Sequence, residues 1–210
     1  MEIRAVTHPK EYLPLLLIGD EEEAAVDRYL HQAETFVLFD KGEAKSICAV
    51  TREEPGLVEI RNLATFPSVR GRGFASALID FVEKRYGNEA ALLRLGTGET
   101  PSILQFYQRR GFIYSHRIPH FFRDNYALPI VNDGVLLDDM VYLQKTIGTT
   151  PGLLTGAAFL PAKRTDIEEA AKKAPERAKA HEPVSRDCVE RQTRLPVDGQ
   201  HDRQAPFEEG

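Results

Sequence analysis

Leu57-Val58-Glu59-Ile60-Arg61-Asn62-Leu63-Ala64-Thr65-Phe66-Pro67-Ser68-Val69-Arg70-Gly71-Arg72-Gly73-Phe74-Ala75 is the stretch on which the fold of this chain turns. Residues 57–65 are rich in branched and apolar side chains and predict a strand. Alternation sets Val58, Ile60 and Ala64 on one face of it and Glu59, Arg61 and Leu63 on the other. Pro67 and the glycines at 71 and 73 end the strand. Phe74, Ala77, Leu78, Phe81 and Val82 then recur at helical spacing, which predicts a helix over 73–86 with one apolar face.

A strand, a glycine turn and a helix in direct succession make a place for a phosphate. The first N–H groups of a helix have no partner within it and carry partial positive charge. A pyrophosphate fits there. Gly71 and Gly73 lack Cβ atoms, so phosphate oxygens can approach their backbone, and Arg70 and Arg72 offer charge-assisted hydrogen bonds. A Walker loop is excluded, because no Gly-Lys-Ser/Thr follows. A dinucleotide fingerprint fails at Ser76, where its third glycine is required.

Outward from this unit the chain alternates strand and helix patterns. Strands are predicted at 3–6, 35–39, 44–51, 92–95, 112–115 and 139–145, and Asp40-Lys41-Gly42 reads as a hairpin turn. Helices are predicted at 11–17 and at 21–32, the second opened by Asp20, and at 101–109, with Pro101 in its first turn and Gly111 past its end. This is a mixed α/β (α+β) domain with helices covering a sheet.

The chain has 210 residues and a formal net charge of -5, which advertises no basic face for nucleic acid. Arg109, Arg110, Arg117 and Arg123 are the residues such a face would use. Cys48 lies in an apolar run and reads as a buried thiol, and no cysteine, histidine or aspartate spacing indicates a metal site. Met1-Glu2-Ile3-Arg4 is no signal peptide and no apolar run is long enough to span a bilayer, so the expected location is cytoplasmic, with no membrane partner. Beyond Ile147 the only aromatics are Phe159 and Phe207, whereas six prolines lie there. Residues 148–210 are therefore expected to be a polar, proline-rich, disordered tail, with one capping-box spacing at Thr165 and Glu168.

Arg70-Gly71-Arg72-Gly73-Phe74-Ala75 resembles the Arg/Gln-x-x-Gly-x-Gly/Ala motif of the GNAT N-acetyltransferase superfamily. Leu63-Ala64-Thr65 followed by Pro67 looks like the strand exit that precedes that motif, and Phe106-Tyr107-Gln108-Arg109-Arg110-Gly111-Phe112 is similar to the family's Tyr-x-x-x-Gly-Phe element. Gly96-Thr97-Gly98, Phe121-Phe122, Tyr126, Pro129-Ile130 and Asn132-Asp133-Gly134 resemble a bacterial subgroup of the superfamily. The chain departs from the family's pattern where an asparagine is common before the second signature helix; here the residues are Glu99, Thr100 and Ser102. The resemblance covers residues 1–147.

It implies a mostly antiparallel central sheet flanked by helices, with two strands splayed apart to admit CoA, and acetyl-CoA as cosubstrate. Pantetheine would pair with the strand carrying Ala64 and Thr65 as an added strand does, opened by a bulge near residues 62–64. Arg70, Gly71, Arg72, Gly73, Phe74 and Ala75 would hold the pyrophosphate. Tyr107 matches the family's tyrosine acid, which protonates the departing sulfur. An alkyl ammonium with a pKa of about 10 must lose a proton before it attacks. Glu59 is the candidate base, with water as the alternative, and His116 and His120 are candidates to line the acceptor pocket. The implied activity is direct transfer of acetyl to the primary amine of a small molecule or peptide, by a monomer or homodimer. A CoA-binding regulatory module without catalysis is the competing reading.

Overall fold

The computed structural model describes residues 1–148. The proposed tail and its Thr165–Glu168 spacing lie outside the described residues. Seven strands form one sheet in the order β1-β2-β3-β4-β5-β9-β6. They are β1 (Glu2–Val6), β2 (Glu34–Asp40), β3 (Glu43–Glu54), β4 (Leu57–Thr65), β5 (Leu92–Gly98), β6 (Ile113–Ile118) and β9 (Met140–Thr146). The pair β4–β5 is parallel and every other pair in this sheet is antiparallel. A parallel pair needs a crossover, and α3 (Phe74–Tyr86) supplies it. The β2–β3 hairpin turns on Lys41 and Gly42, both at positive φ (55° and 83°) as its tight turn requires.

The two faces of the sheet carry separate cores. Helix α3 and α4 (Pro101–Arg109) cover one, where Val58, Ile60, Leu93, Leu95, Val141 and Leu143 pack with Leu78, Val82 and Tyr107. Helices α1 (Leu13–Asp20) and α2 (Glu23–Leu30) cover the other over β2, β3 and β4, where Leu16, Val26 and Tyr29 meet Val37, Ile47, Ala49 and Ala64. Cys48 is buried in the first core as a free thiol.

Ala64 therefore lies on the face opposite Val58 and Ile60, contrary to strict alternation. The register explains it. Val50 pairs with Ile60 and Ala49 with Asn62, so Arg61 is an extra residue in β4. One inserted residue moves every later side chain to the other face. The bulge expected near 62–64 stands one residue earlier, and it delivers Asn62 and Ala64 to α1.

Asp20 differs as well. It was expected to open the second helix, but it ends α1, and α2 begins at Glu23 without a side-chain cap. Two elements had no clear signal in the sequence: α5 (Phe121–Asn125) and the hairpin β7 (Val131–Asn132) with β8 (Val135–Leu136). Phe122, Ile130 and Leu137 form a small core of their own there.

Candidate active site

Strands β4 and β5 pair only from Leu57–Leu92 to Ile60–Leu95. Beyond that point they separate, leaving the outer edge of residues 62–65 facing 96–98 with no strand between. The Arg61 bulge sits where the pairing stops. A cavity of about 900 Å³ fills the gap and runs from the glycine turn to α1 and α5.

At one end the wall is Ala64, Thr65, Val69, Arg70, Gly71, Gly73, Phe74 and Ala75. Gly71 and Gly73 stand at φ 77° and 84°, so the left-handed backbone itself calls for glycine. A Cβ on either would meet no protein atom within 4 Å. The space above the turn is open to a ligand. Arg70 donates from Nε to the Thr65 carbonyl at 3.4 Å and makes no ion pair among the described residues, so its charge is available. Ser46 fastens the adjoining strand, donating to the Ala64 carbonyl at 2.6 Å and lying 2.8 Å from Thr65 Oγ1.

Tyr107 of α4 also lines the cavity. Its ring lies edge-on to Phe106 and Phe112, at centroid distances of 5.0 and 5.6 Å. Burial above all, and Cys48 nearby, push its phenol well above the ordinary tyrosine range. The group stays protonated at neutral pH and so has a proton to donate. Ser102, at the start of the same helix, donates to Asp133 at the tip of the β7–β8 hairpin, which ties that hairpin to the cavity rim.

The other end is built from α1, α2, β4 and the segment around α5. Tyr29 donates to Asp20 Oδ2 at 2.5 Å, and Asn62 Nδ2 donates to the same oxygen at 2.8 Å and to the Leu16 carbonyl at 2.9 Å. Burial raises the Asp20 carboxyl above its ordinary value, although these two donors work against it. Gly19 makes the seat for Asn62, because a Cβ there would lie 2.6 Å from Asn62 Nδ2. Gly19→Ala is accordingly expected to lower stability by about 1–3 kcal/mol through overpacking. Urea unfolding checks this, and an unchanged midpoint would mean that the seat tolerates a methyl group.

Residues 31–114 match the family described as "Acetyltransferase (GNAT) domain". The chain is 32% identical over 136 residues to YvbK of Bacillus subtilis, described as an uncharacterised N-acetyltransferase; the match spans 63% of this chain and 87% of that protein. The chain belongs to the GNAT acetyltransferase family. A GNAT acetyltransferase from Elizabethkingia anophelis, solved with acetyl-CoA bound, superposes with a TM-score of 0.65 at 28% identity, over 69% of this chain and 97% of that one. A Bacillus subtilis acetyltransferase in complex with CoA gives 0.62 at 30% identity, over 69% and 96%. The protein is an acetyl-CoA-dependent N-acetyltransferase, with acetyl-CoA as its cosubstrate. These comparisons lend no support to a GNAT module without catalysis.

Within this GNAT fold, most of the residues named from the sequence come together. Ala64, Thr65, Arg70, Gly71, Gly73, Phe74, Ala75, Tyr107 and Glu59 all line the one cavity. Arg72 does not. Its guanidinium pairs with Asp40 at 2.9 Å and lies 4.8 Å over the Phe74 ring. Glu59 is in the wall but fully engaged: Oε1 accepts from Arg61 at 2.8 Å, and Oε2 accepts from Arg94 Nε at 2.8 Å and Nη2 at 2.7 Å. Both oxygens of the base expected at Glu59 are thus occupied by arginine donors rather than turned to an incoming amine. His116 and His120 are absent from the wall as well. His116 stacks behind the wall residue Tyr142, with ring centroids 4.4 Å apart. Burial and Arg94 lower its pKa, which keeps it neutral.

His120, Asp138 and Asp139 form a group that sequence spacing does not show, with ligand atoms within 4.8 Å of one another. Arg117 already pairs with Asp139 at 3.1 Å, and two of the three residues are exposed. Of the four arginines considered for nucleic acid, Arg110, Arg117 and Arg123 are each paired with a carboxylate. Among the described residues no helix is long and apolar enough to cross a membrane.

Asp20, Tyr29, Asn62 and Tyr142 also line the cavity, and the sequence does not mark them for it. Asp20 carried a misleading signal, since an acid before Glu21-Glu22-Glu23 reads as a helix cap. Asn62 carried none, because only the bulge turns it toward α1.

Proposed function

We propose that the enzyme passes acetyl directly from CoA to a primary amine in the cavity between β4 and β5, with Tyr107 protonating the departing sulfur. The observation that carries this is the separation of the two strands past Ile60 and Leu95, with the open glycine turn and Tyr107 both in the wall of the gap. In this reading the pyrophosphate lies on the N–H groups around Gly71 and Gly73 with Arg70 beside it, and pantetheine runs along residues 62–65 as an added strand. Phe74 and Ala75 place the first turn of α3 under the phosphate. The amine enters from the α1 and α5 end and attacks the thioester carbon, and the C–S bond breaks as the C–N bond forms. Glu59 holds Arg61 and Arg94 in place, and the amine loses its proton to another group or to water.

The acceptor is a small molecule or a peptide amine, and the working location is the cytoplasm, with a monomer or homodimer as the active form. A thiol-release screen of purified protein with acetyl-CoA and diverse primary amines tests the reading. Amine-dependent release is expected; binding of acetyl-CoA with no release across the panel would count against direct transfer.

We further propose that residues 1–147 are the whole catalytic unit. The last strand of the sheet ends at Thr146, and the solved relatives match about this much of the chain. A chain cut after Gly148 is expected to keep its thermal midpoint and its acetyl-CoA affinity. Loss of either, by calorimetry, would mean that the remaining residues pack on the domain.

A further inference from the structure

Asp20 ends α1 with a carboxylate that forms no ion pair among the described residues. Tyr29 and Asn62 both donate to its Oδ2, and the Tyr126 hydroxyl also faces the carboxylate, so its donors are all neutral groups. Asn62 presents an open acceptor. Its amide nitrogen is used twice, toward Leu16 and Asp20, while its buried Oδ1 meets no donor. Asn62 is buried, at 4% exposure, so water does not freely make up the deficit at its oxygen. The Asn62 carbonyl is withdrawn from water without a partner, and the half-buried Asp20 carboxylate lines the cavity with no cation paired to it; both are unfavourable. The group that satisfies both carries positive charge and several N–H donors and accepts nothing. An alkyl ammonium has that inventory. Beyond Asp20 the cavity wall is formed by Phe121, Phe122, Tyr126, Ile130 and Tyr142, which suit an aromatic or aliphatic body.

We propose that Asp20 binds the acceptor's ammonium and takes its proton, and that the acceptor carries this amine on an aromatic or aliphatic body packed against Phe121, Tyr126 and Tyr142. This rests on the reading of the cleft as the donor and acceptor channel. Tyr29 and Asn62 are positioning residues that fix the carboxylate. The protons balance as follows. The ammonium gives one proton to Asp20, which passes it to water. The free amine forms the C–N bond, the C–S bond breaks, and the thiolate takes the Tyr107 proton. The second nitrogen proton returns through water to the Tyr107 phenolate. One proton leaves per turnover, with CoA thiol and amide as products. Burial raises the Asp20 carboxyl, which brings it closer to the amine it must deprotonate.

The titratable and charged groups that face Asp20 are Tyr29 from α2, Arg61 from β4 and Tyr126 beyond α5. Tyr29 donates to the ionised form, so Tyr29→Phe raises the Asp20 pKa. The acidic limb of kcat/KM then moves to higher pH, because the base is protonated sooner as pH falls.

The test uses the full chain, acetyl-CoA and 2-phenylethylamine as the probe amine, with thiol release and calorimetry. Wild type is expected to bind and acetylate the probe. Asp20→Asn is expected to lower kcat/KM by about 10²-fold or more while acetyl-CoA affinity stays unchanged. Tyr29→Phe is expected to keep acetyl-CoA affinity and shift the acidic limb upward. A folded Asp20→Asn enzyme with wild-type kcat/KM overturns the base, and so does an unmoved limb in Tyr29→Phe. A wild-type chain that binds acetyl-CoA but neither binds nor acetylates 2-phenylethylamine overturns the acceptor class. A wild-type chain that fails to bind acetyl-CoA overturns the donor site, and this proposal with it.

Discussion

Tyr107→Phe is expected to lower the chemical rate by about 10²–10⁴-fold, the usual worth of a positioned general acid. The substitution removes one oxygen and keeps the ring that packs against Phe106 and Phe112. Fold and acetyl-CoA affinity should therefore change little. The hydroxyl acts when the sulfur departs, so its loss belongs to the transition state and lowers kcat and kcat/KM together. Burial holds the phenol protonated through the neutral range, so the rate should show no basic limb from Tyr107 near pH 7 to 8. Slow product release can mask a change in the chemical step, and single-turnover mixing removes that mask. A folded variant with wild-type single-turnover rates would take Tyr107 out of the mechanism and leave the CoA site in place.

Gly73→Val is expected to weaken acetyl-CoA binding by about 10–10³-fold, equivalent to losing one or two charge-assisted hydrogen bonds. The physical situation at Gly73 separates two effects. Its φ of 84° strains any residue with a branched Cβ, which lowers stability. Yet the added Cβ meets no protein atom within 4 Å, so the fold has room for it. What it occupies is the space where phosphate oxygens approach the backbone. Affinity should then fall by more than the strain alone explains, and Gly73→Ala should fall between wild type and valine. Isothermal titration of both variants decides the matter. Unchanged affinity in a folded Gly73→Val protein would remove the glycine turn as the pyrophosphate site.

The strand, glycine turn and helix over 57–86 are legible in the sequence because they are local. A phosphate turn needs a strand end, glycines and a helix start within a few residues, and 57–75 supplies them consecutively. Strand β4 has the predicted bounds, and α3 begins one residue later than expected with Gly73 as its cap. Tyr107 stands out as a candidate because its neighbours Phe106, Gly111 and Phe112 sit at fixed spacing on the same helix and its exit, and the fold puts it in the cavity wall.

Tertiary structure alone decided what depends on distant residues meeting. Arg72 looks identical to Arg70 in sequence, but Asp40 of the β2–β3 hairpin claims its charge. Glu59 looks like a free carboxylate, yet Arg94 from the parallel neighbour β5 and Arg61 from the bulge occupy both its oxygens. Asp20 reads as a helix cap; the fold places it under Tyr29 and beside Asn62, a contact that exists only because one extra residue at Arg61 reverses the faces of β4. Periodicity carries no information about such an insertion, since a bulge is fixed by the partner strand and the helix packed over it. Ion pairing and burial likewise belong to the assembled sheet. The glycine turn is therefore written in consecutive residues, and the Asp20–Tyr29–Asn62 group in contacts that arise on folding.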